Sequence, residues 1–109
     1  MIGEKKFTVG INGFGRFGLH LLRYWLDHYD EATFFIGYIN DDILTPNNIL
    51  NILQTDEYVS FHDCNISYKD KNLFITKVNG KTHIFLVSNT RSDQIPWLGE
   101  PHIFLECTG

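Results

Sequence analysis

The sequence predicts an α/β protein built on a doubly wound parallel sheet, with an antiparallel meander of short strands inserted into it. Three observations predict this fold. Residues 7–39 read as strand, helix and strand, a glycine-rich turn joins the first strand to the helix, and short strands divided by turn residues follow over residues 66–87. With 109 residues, the chain has the length of one domain with a single core.

The first third of the chain carries the βαβ pattern. Residues 7–11 form a short apolar run, and apolar residues then recur at helical spacing over residues 14–28. Residues 33–39 are almost continuously apolar, which is typical of a parallel strand covered on both faces. We therefore expect a right-handed crossover between two neighbouring parallel strands.

The remaining elements are shorter. Thr45 and Pro46 predict the start of a helix that ends near residue 55, and residues 56–63 show no period and are predicted to be loop. Strands are expected at 66–69, 73–78 and 82–87, with a type I′ turn at Asn79-Gly80. Residues 88–101 read as a connection anchored by Ile95 and Trp97, before a last buried strand at 102–107. The expected order of the parallel strands is 3-2-1-4.

Composition and charge exclude several classes of protein. Hydrophobic residues make up 43% of the chain and charged residues 20%, as in ordinary globular proteins, and no apolar run approaches the ~20 residues of a membrane span. The net charge of −4 gives no field that attracts nucleic acid. The two cysteines and five histidines show no metal-ligand spacing, and no export signal is visible. We expect a cytoplasmic protein without metal, membrane or nucleic-acid partners.

The turn after the first strand contains Gly13, Gly15 and Gly18 in the spacing Gly-x-Gly-x-x-Gly. In a Rossmann-type fold the first glycine permits the sharp turn, the second leaves room for a pyrophosphate, and the third lets the helix lie close to the strand. The start of the helix presents N–H groups and a positive dipole end to the anion. The spacing therefore predicts dinucleotide binding.

An acidic residue at the end of the second strand supports this prediction. The separation of Asp41 from the last glycine is close to the ~20 residues expected for the carboxylate that binds the adenine ribose. Such a carboxylate repels a 2′-phosphate, so NAD is predicted over NADP. Two alternatives remain: Asp42 takes the ribose role, or both acids occupy a turn or cap the helix that starts near Pro46.

Three further residues have both a functional and a structural interpretation. The Arg16 guanidinium could lie beside the pyrophosphate, although its backbone N–H is the safer contact. Arg91 could border the adenine or be an ordinary surface arginine. Cys107, at the carboxyl end of a strand, has no base nearby in the sequence, which favours packing over a nucleophilic role.

Together these residues resemble the amino-terminal NAD-binding part of phosphorylating glyceraldehyde-3-phosphate dehydrogenase; the related erythrose-4-phosphate dehydrogenases share the same fingerprint. The resemblance rests on motifs in order along nearly the whole chain: Val9-Gly10-Ile11-Asn12-Gly13-Phe14-Gly15-Arg16-Phe17-Gly18, Ile39-Asn40-Asp41, Asn79-Gly80, Ile95-Pro96-Trp97 and Glu106-Cys107-Thr108-Gly109. It implies that the cofactor is NAD and that the cofactor-binding residues are Asn12, Gly13, Phe14, Gly15, Arg16, Phe17, Asn40, Asp41, Arg91, Cys107, Thr108 and Gly109.

The resemblance also sets expectations about activity. The family's catalytic cysteine lies in a Ser-x-Cys-Thr-Thr-Asn motif that is absent from these 109 residues, so we expect residues 1–109 to be an incomplete NAD-binding domain without catalytic residues or activity of its own. The alternative is a stand-alone nucleotide-binding or assembly module. Cys107 stands where the family usually has Ser or Thr, which indicates a divergent member. An exposed apolar sheet edge at residues 104–107 predicts self-association.

Overall fold

A computed structural model describes residues 7–95, 97 and 101–107. Within these residues the chain forms six strands, two α-helices and one short 3-10 helix at Ser92–Gln94. The strands and α-helices are β1 Phe7–Asn12, α1 Arg16–Asp27, β2 Phe34–Asn40, α2 Pro46–Thr55, β3 Cys64–Lys69, β4 Asn72–Lys77, β5 Thr82–Ser88 and β6 Ile103–Glu106.

The six strands form one sheet in the order β3-β4-β5-β2-β1-β6. The four strands β5, β2, β1 and β6 run parallel, and β3 and β4 join them through antiparallel pairings. The expected order of the parallel strands and the inserted meander are both confirmed. The parallel strands bring their carboxyl ends to one edge of the sheet, which we name the carboxyl edge.

Both helices pack on one face of the sheet. Alternate strand residues such as Val9, Ile11 and Ile36 join side chains of α1 and α2 in a single buried cluster. The helical residues in it are spaced three or four apart, as an amphipathic helix requires: Leu19, Leu22, Trp25 and Leu26 of α1, and Ile49 and Leu53 of α2.

The opposite face of the sheet is more open. The side chains of Phe35 and Ile84 are 43% and 56% exposed there, beside a shallow depression of about 470 Å³. The predicted anchor Trp97 covers part of this face: it is buried against Gly10, where a Cβ atom would collide with the indole ring, and its ring lies 4.8 Å from that of Phe104.

The hairpin between β4 and β5 forms as predicted, but the type I′ turn predicted at Asn79-Gly80 is wrong. Only Gly80 has a positive φ, of 87°, and the Lys77 N–H donates to the Lys81 carbonyl across a three-residue loop. The φ values that a type I′ turn requires occur instead at Asp70 (52°) and Lys71 (69°), between β3 and β4. The β3–β4 pairing leaves two residues for that connection, which forces both into the left-handed region.

Two other bounds differ from the prediction by two residues, and the remaining differences are of one residue. The helix predicted from residue 14 begins at Arg16, because the N–H groups of Gly13 and Phe14 are bonded to Asn40 and Asp41 at the end of β2. The strand predicted from residue 66 begins at Cys64. Among the described residues, no helix has the length and apolar character needed to cross a membrane.

Candidate functional site

The glycine loop follows β1 at the carboxyl edge, and its first residues are hydrogen-bonded to the end of β2. Gly13 has a φ of 102°, and its N–H donates to the Asn40 carbonyl at 2.7 Å. The next N–H, of Phe14, donates to Asp41 Oδ2 at 2.8 Å. Phe14 is fully buried, so its side chain belongs to the core.

Helix α1 starts at this loop without a cap. Gly15 is the N-cap residue, and no side chain of the described residues accepts a hydrogen bond from the first turn. The N–H groups of that turn have no acceptor within the helix. A Cβ atom at Gly15 would meet open space, whereas one at Gly18 would lie 2.5 Å from the Gly13 carbonyl oxygen. The loop thus leaves room at its second glycine and closes tightly at its third, which fits the pyrophosphate of a dinucleotide.

The Asp41 carboxylate lies beside this loop and is 7% exposed. Its Oδ1 accepts hydrogen bonds from the N–H groups of Ile43 at 2.9 Å and Leu44 at 2.8 Å. Asp41 therefore occupies a turn and also contacts the glycine loop through Phe14. Asp42 is exposed, and α2 is capped by Thr45.

Polar side chains form a hydrogen-bonded row along the carboxyl edge. Asn12 Nδ2 donates to Glu106 Oε1 at 2.6 Å, and Asn40 Nδ2 donates to Asn12 Oδ1 at 2.9 Å. Asn40 Oδ1 in turn accepts from Ser88 Oγ at 2.8 Å and from Thr90 Oγ1 at 3.2 Å. The row joins the ends of all four parallel strands.

Sequence reasoning named Asn12 and Asn40 as cofactor ligands but missed the row. A signal for it was present, because Asn12, Asn40 and Ser88 directly follow three of the predicted parallel strands and Glu106 lies one residue before the end of the fourth. Both asparagines are buried, and their amide groups form hydrogen bonds along the carboxyl edge.

The Arg16 guanidinium reaches the far end of α2 and pairs with Asp56. Its two Nη atoms lie 2.7 and 3.0 Å from the carboxylate oxygens. The hydrogen bonds from Arg16 hold the pKa of Asp56 well below its usual range, and those of Val59 and Tyr58 act in the same direction. In this arrangement the backbone N–H of Arg16, at the start of α1, faces the loop. Asp56 directly follows α2, in the segment predicted to be loop.

The other predicted residues occupy different positions. Phe17 is 66% exposed in the first turn of α1, and Arg91 is exposed, with its Nε 3.4 Å from Asp93. The Cys107 N–H donates to the Asn12 carbonyl at 2.8 Å, which brings Cys107 to the carboxyl edge. Burial, and secondarily the Glu106 carboxylate, raise the pKa of the Cys107 thiol. Thr108 and Gly109 lie outside the described residues.

Of the surface clefts that border α1, two lie near its first turn. One of about 250 Å³ lies directly beside the glycine loop and includes Gly15, Leu44 and Asp56. A larger groove of about 500 Å³ runs along the outer side of α1 between Tyr24 and Tyr58, and Gly15 does not line it. The first cleft is the candidate site because it borders the glycine loop, although its volume is the smaller of the two. In the part of the chain that the structure describes, no group of three metal-ligating side chains is close enough to hold a metal ion.

The chain is similar to proteins of one family. Residues 7–109 match the family model described as glyceraldehyde 3-phosphate dehydrogenase, NAD binding domain. Glyceraldehyde-3-phosphate dehydrogenase 2 of Synechocystis sp. is 35% identical over 102 residues, which cover 93% of this chain and 28% of that protein. The chloroplastic glyceraldehyde-3-phosphate dehydrogenase of Chondrus crispus is 34% identical over 94 residues, 84% of this chain and 21% of that protein. The chain thus spans less than a third of the length of these relatives.

Proposed function

The chain belongs to the family of glyceraldehyde-3-phosphate dehydrogenase NAD-binding domains, and from this premise we propose that it is the cofactor-binding part of a phosphorylating dehydrogenase. NAD is the cofactor of this domain family. The proposed activity of the whole enzyme is oxidation of a phosphorylated aldehyde, with inorganic phosphate incorporated into the product. The observation that carries the proposal is the uncapped start of α1 beside a buried carboxylate at the end of β2.

The pyrophosphate would lie against the start of α1. The backbone N–H groups of Arg16 and Phe17 are its proposed donors, because first-turn N–H groups and the positive helix dipole favour an anion there. Gly15 leaves the space that the phosphates need. The Arg16 guanidinium, paired with Asp56, holds the two helices together and is not required as a phosphate ligand.

The adenosine half would lie at the exits of β2 and β5. The Asp41 carboxylate is proposed to accept hydrogen bonds from the ribose hydroxyls, and Arg91 would border the adenine. Asp41 has three backbone donors among the described residues, which fix its orientation before a ligand arrives. A fixed carboxylate costs less entropy on binding than a mobile one.

The nicotinamide half would lie at the end of β6, near residues 107–109. Bound NAD supplies the hydride acceptor of the reaction. Cys107 is proposed to pack beside it and not to act as a nucleophile, because burial raises the pKa of its thiol and so lowers the thiolate fraction. We propose no catalytic residue within these 109 residues.

Calorimetric titration of the chain with NAD tests the cofactor site. The variant Asp41→Ala should bind NAD at least about tenfold more weakly, since hydrogen bonds to a charged group contribute about 1.5–3 kcal/mol. Its matched control, Asp42→Ala, removes an exposed neighbouring carboxylate and should leave the affinity unchanged. Absence of binding heat at millimolar NAD would refute the proposed site, and loss of affinity in Asp42→Ala alone would move the ribose role to Asp42.

A stand-alone nucleotide-binding module is the second candidate. The proposed contacts to the pyrophosphate and the ribose all come from this domain, so binding itself would need no second domain. The two candidates differ in the size of the natural polypeptide. An antibody against this domain should detect a protein several times larger than 12.7 kDa in source cells if the enzyme proposal is right. A single band near 12.7 kDa would favour the module.

The open face of the sheet is the proposed surface for self-association of the chain. Phe35 and Ile84 are large apolar side chains exposed on that face, and Phe104 is 47% exposed at its β6 edge. Sedimentation should show concentration-dependent association that Ile84→Thr weakens. The control Val78→Thr changes an equally apolar residue that is 83% exposed in a turn, and it should have no effect. A monomer at high concentration would contradict the proposal.

We propose a cytoplasmic location for the protein. Cys64 and Cys107 are both free thiols, which is the usual state in a reducing compartment. Fractionation of source cells with a marker for each compartment tests this assignment, and recovery with an exported fraction would contradict it.

A further inference from the structure

The turn that presents Asp41 is held from outside by a second side chain, that of Asn89. Asn89 Nδ2 donates to the backbone carbonyl of Asp41 at 2.7 Å and to that of Leu44 at 3.1 Å. These are the first and last carbonyls of the same turn whose N–H groups bind the Asp41 carboxylate. One amide group therefore fixes both ends of the turn.

Asn89 is itself held in place by its two neighbours in the chain. Thr90 is bonded to Asn40, whose Oδ1 accepts the Thr90 N–H at 3.1 Å and whose Nδ2 donates to the Thr90 carbonyl at 3.0 Å. On the other side, the Ser88 carbonyl accepts the Asp41 N–H at 3.2 Å. Asn40 is completely buried, so the segment that carries Asn89 is anchored to the interior of the sheet.

We propose that Asn89 is a positioning residue that sets the Asp41 carboxylate for the ribose hydroxyls, and thereby the preference for NAD over NADP. This inference rests on the proposed function. Loss of the two Asn89 bonds would free the turn at residues 41–44 and let the carboxylate move. A hydroxyl–carboxylate hydrogen bond weakens steeply outside about 2.5–3.0 Å, so a small displacement reduces NAD binding.

The same displacement would relax the discrimination against NADP. A fixed carboxylate repels a 2′-phosphate because like charges at short distance are strongly unfavourable away from bulk water. A carboxylate that can move away loses both the bond to the hydroxyl and the repulsion of the phosphate. The ratio of the NAD and NADP affinities therefore reports the position of Asp41, whereas a general loss of stability would leave this ratio unchanged in the folded molecules.

The experiment compares Asn89→Ala with the unmodified chain by titration with NAD and, separately, with NADP, alongside the thermal midpoint of each protein. We expect the NAD affinity to fall about fivefold, since neutral hydrogen bonds contribute about 1 kcal/mol net, and the NAD preference to narrow by a similar factor. The control Asn65→Ala removes an exposed asparagine from β3, at the far edge of the sheet, and should change neither affinity.

A second variant, Asn89→Leu, keeps the branched shape of the side chain without its donors and should reproduce the narrowed preference. The inference is overturned if both variants keep the original NAD to NADP ratio, even if their thermal midpoints fall. The Asp41→Ala variant distinguishes a failure of the proposed Asn89 role from a failure of the proposed ribose contact. If Asp41→Ala loses NAD affinity and the Asn89 variants do not, only the role of Asn89 fails; if Asp41→Ala binds normally, the proposed ribose contact fails.

Discussion

The two helices of this domain begin in opposite ways. At α2, Thr45 Oγ1 accepts the Asn48 N–H at 3.2 Å and Asn48 Oδ1 accepts the Thr45 N–H at 3.1 Å, while Pro46 has no N–H to satisfy. At α1, Gly15 supplies no side chain, and none of the described residues supplies one in its place. The chain completes the start of α2 by itself and leaves the start of α1 open.

The two helices are therefore stabilised by different interactions. The α2 start gains a capping box, whereas α1 forgoes a cap and is held by its buried face and by arginine ion pairs. Arg16 pairs with Asp56, and Arg23 pairs with Asp27 and Asp63. Because these side-chain contacts stabilise α1, its first-turn N–H groups need no cap and can bind an anion.

The variant Gly15→Asp should have the largest effect, because it gives α1 the cap that α2 already has. The backbone of Gly15 is extended and its Cβ direction is open, so the new carboxylate can bond to the first turn. We expect the thermal midpoint to be kept or slightly raised and the NAD affinity to fall at least about 100-fold, since the carboxylate takes the place of the phosphates.

Its control is Asn47→Asp, which adds the same charge to the first turn of the already capped α2. Calorimetry should show little change in NAD affinity for that variant. If Gly15→Asp bound NAD as tightly as the unmodified chain, the open start of α1 would not be the phosphate site.

The variant Gly18→Ala should have the next largest effect, this time on stability. The added Cβ would lie 2.5 Å from the Gly13 carbonyl oxygen, which is backbone and cannot turn aside. We expect the free energy of unfolding in urea to fall by about 2–3 kcal/mol, as for other overpacked sites. The control Gly37→Ala places its Cβ at an ordinary 3.7 Å from Thr8 Cγ2. Equal losses in the two variants would contradict the close approach of α1 to the glycine loop.

Removal of the α2 cap should have a smaller effect and should be confined to stability. Thr45→Ala loses one half of the capping box, and we expect a loss of about 1 kcal/mol in the free energy of unfolding with NAD affinity unchanged. Thr55→Ala, at the opposite end of the same helix, serves as the control and should cost less. A marked loss of NAD affinity in Thr45→Ala would mean that the two helix starts are not independent.

The smallest expected effect is the pH dependence of the Arg23–Asp63 pair. Hydrogen bonds from Arg23 lower the pKa of Asp63 to about 2. A lowered folded-state pKa means that the pair stabilises the fold above the unfolded-state pKa of about 3.9 and loses this contribution as the pH falls towards 2. The Asp63 side chain is 46% exposed, so the contribution is about 1 kcal/mol or less.

Thermal unfolding of the chain and of Asp63→Asn across this pH range measures that contribution. The chain should be the more stable of the two at pH 6, and the difference should shrink below pH 4. A difference that stays constant down to pH 2 would show that the ion pair does not hold α1.

The sequence predicted the features that depend on neighbouring residues. Periodicity identified the parallel strands and α1, and the glycine spacing identified the loop, because each signal lies within one continuous segment. A break between β3 and β4 was expected at residues 70–72, but its turn type was not predicted, because Lys71 does not favour a positive φ and the pairing of β3 with β4 imposes it. Asn79-Gly80 was assigned the wrong turn type because the loop contains three residues instead of two.

The side-chain partnerships of the site could not be predicted in the same way. Arg16 and Asp56 are 40 residues apart, and Asn89 is 48 residues from Asp41. No periodic pattern links such residues, since they meet only after the sheet has assembled. Asp41 itself was predictable because the length of a βαβ unit fixes its distance from the glycine loop.

The row of polar residues along the carboxyl edge has a consequence for the order in which the site can assemble. The contacts between the glycine loop and the end of β2 join residues 28 or fewer positions apart, and those of Asn89 with the turn at Asp41 span up to 48, whereas Asn12 meets Glu106 across 94 positions. Closing the longer loop costs more chain entropy and takes longer. A folding chain can therefore form the surface that binds the adenosine half of a dinucleotide before the surface for the nicotinamide half exists. The second surface forms only when β6, the last strand, pairs with β1.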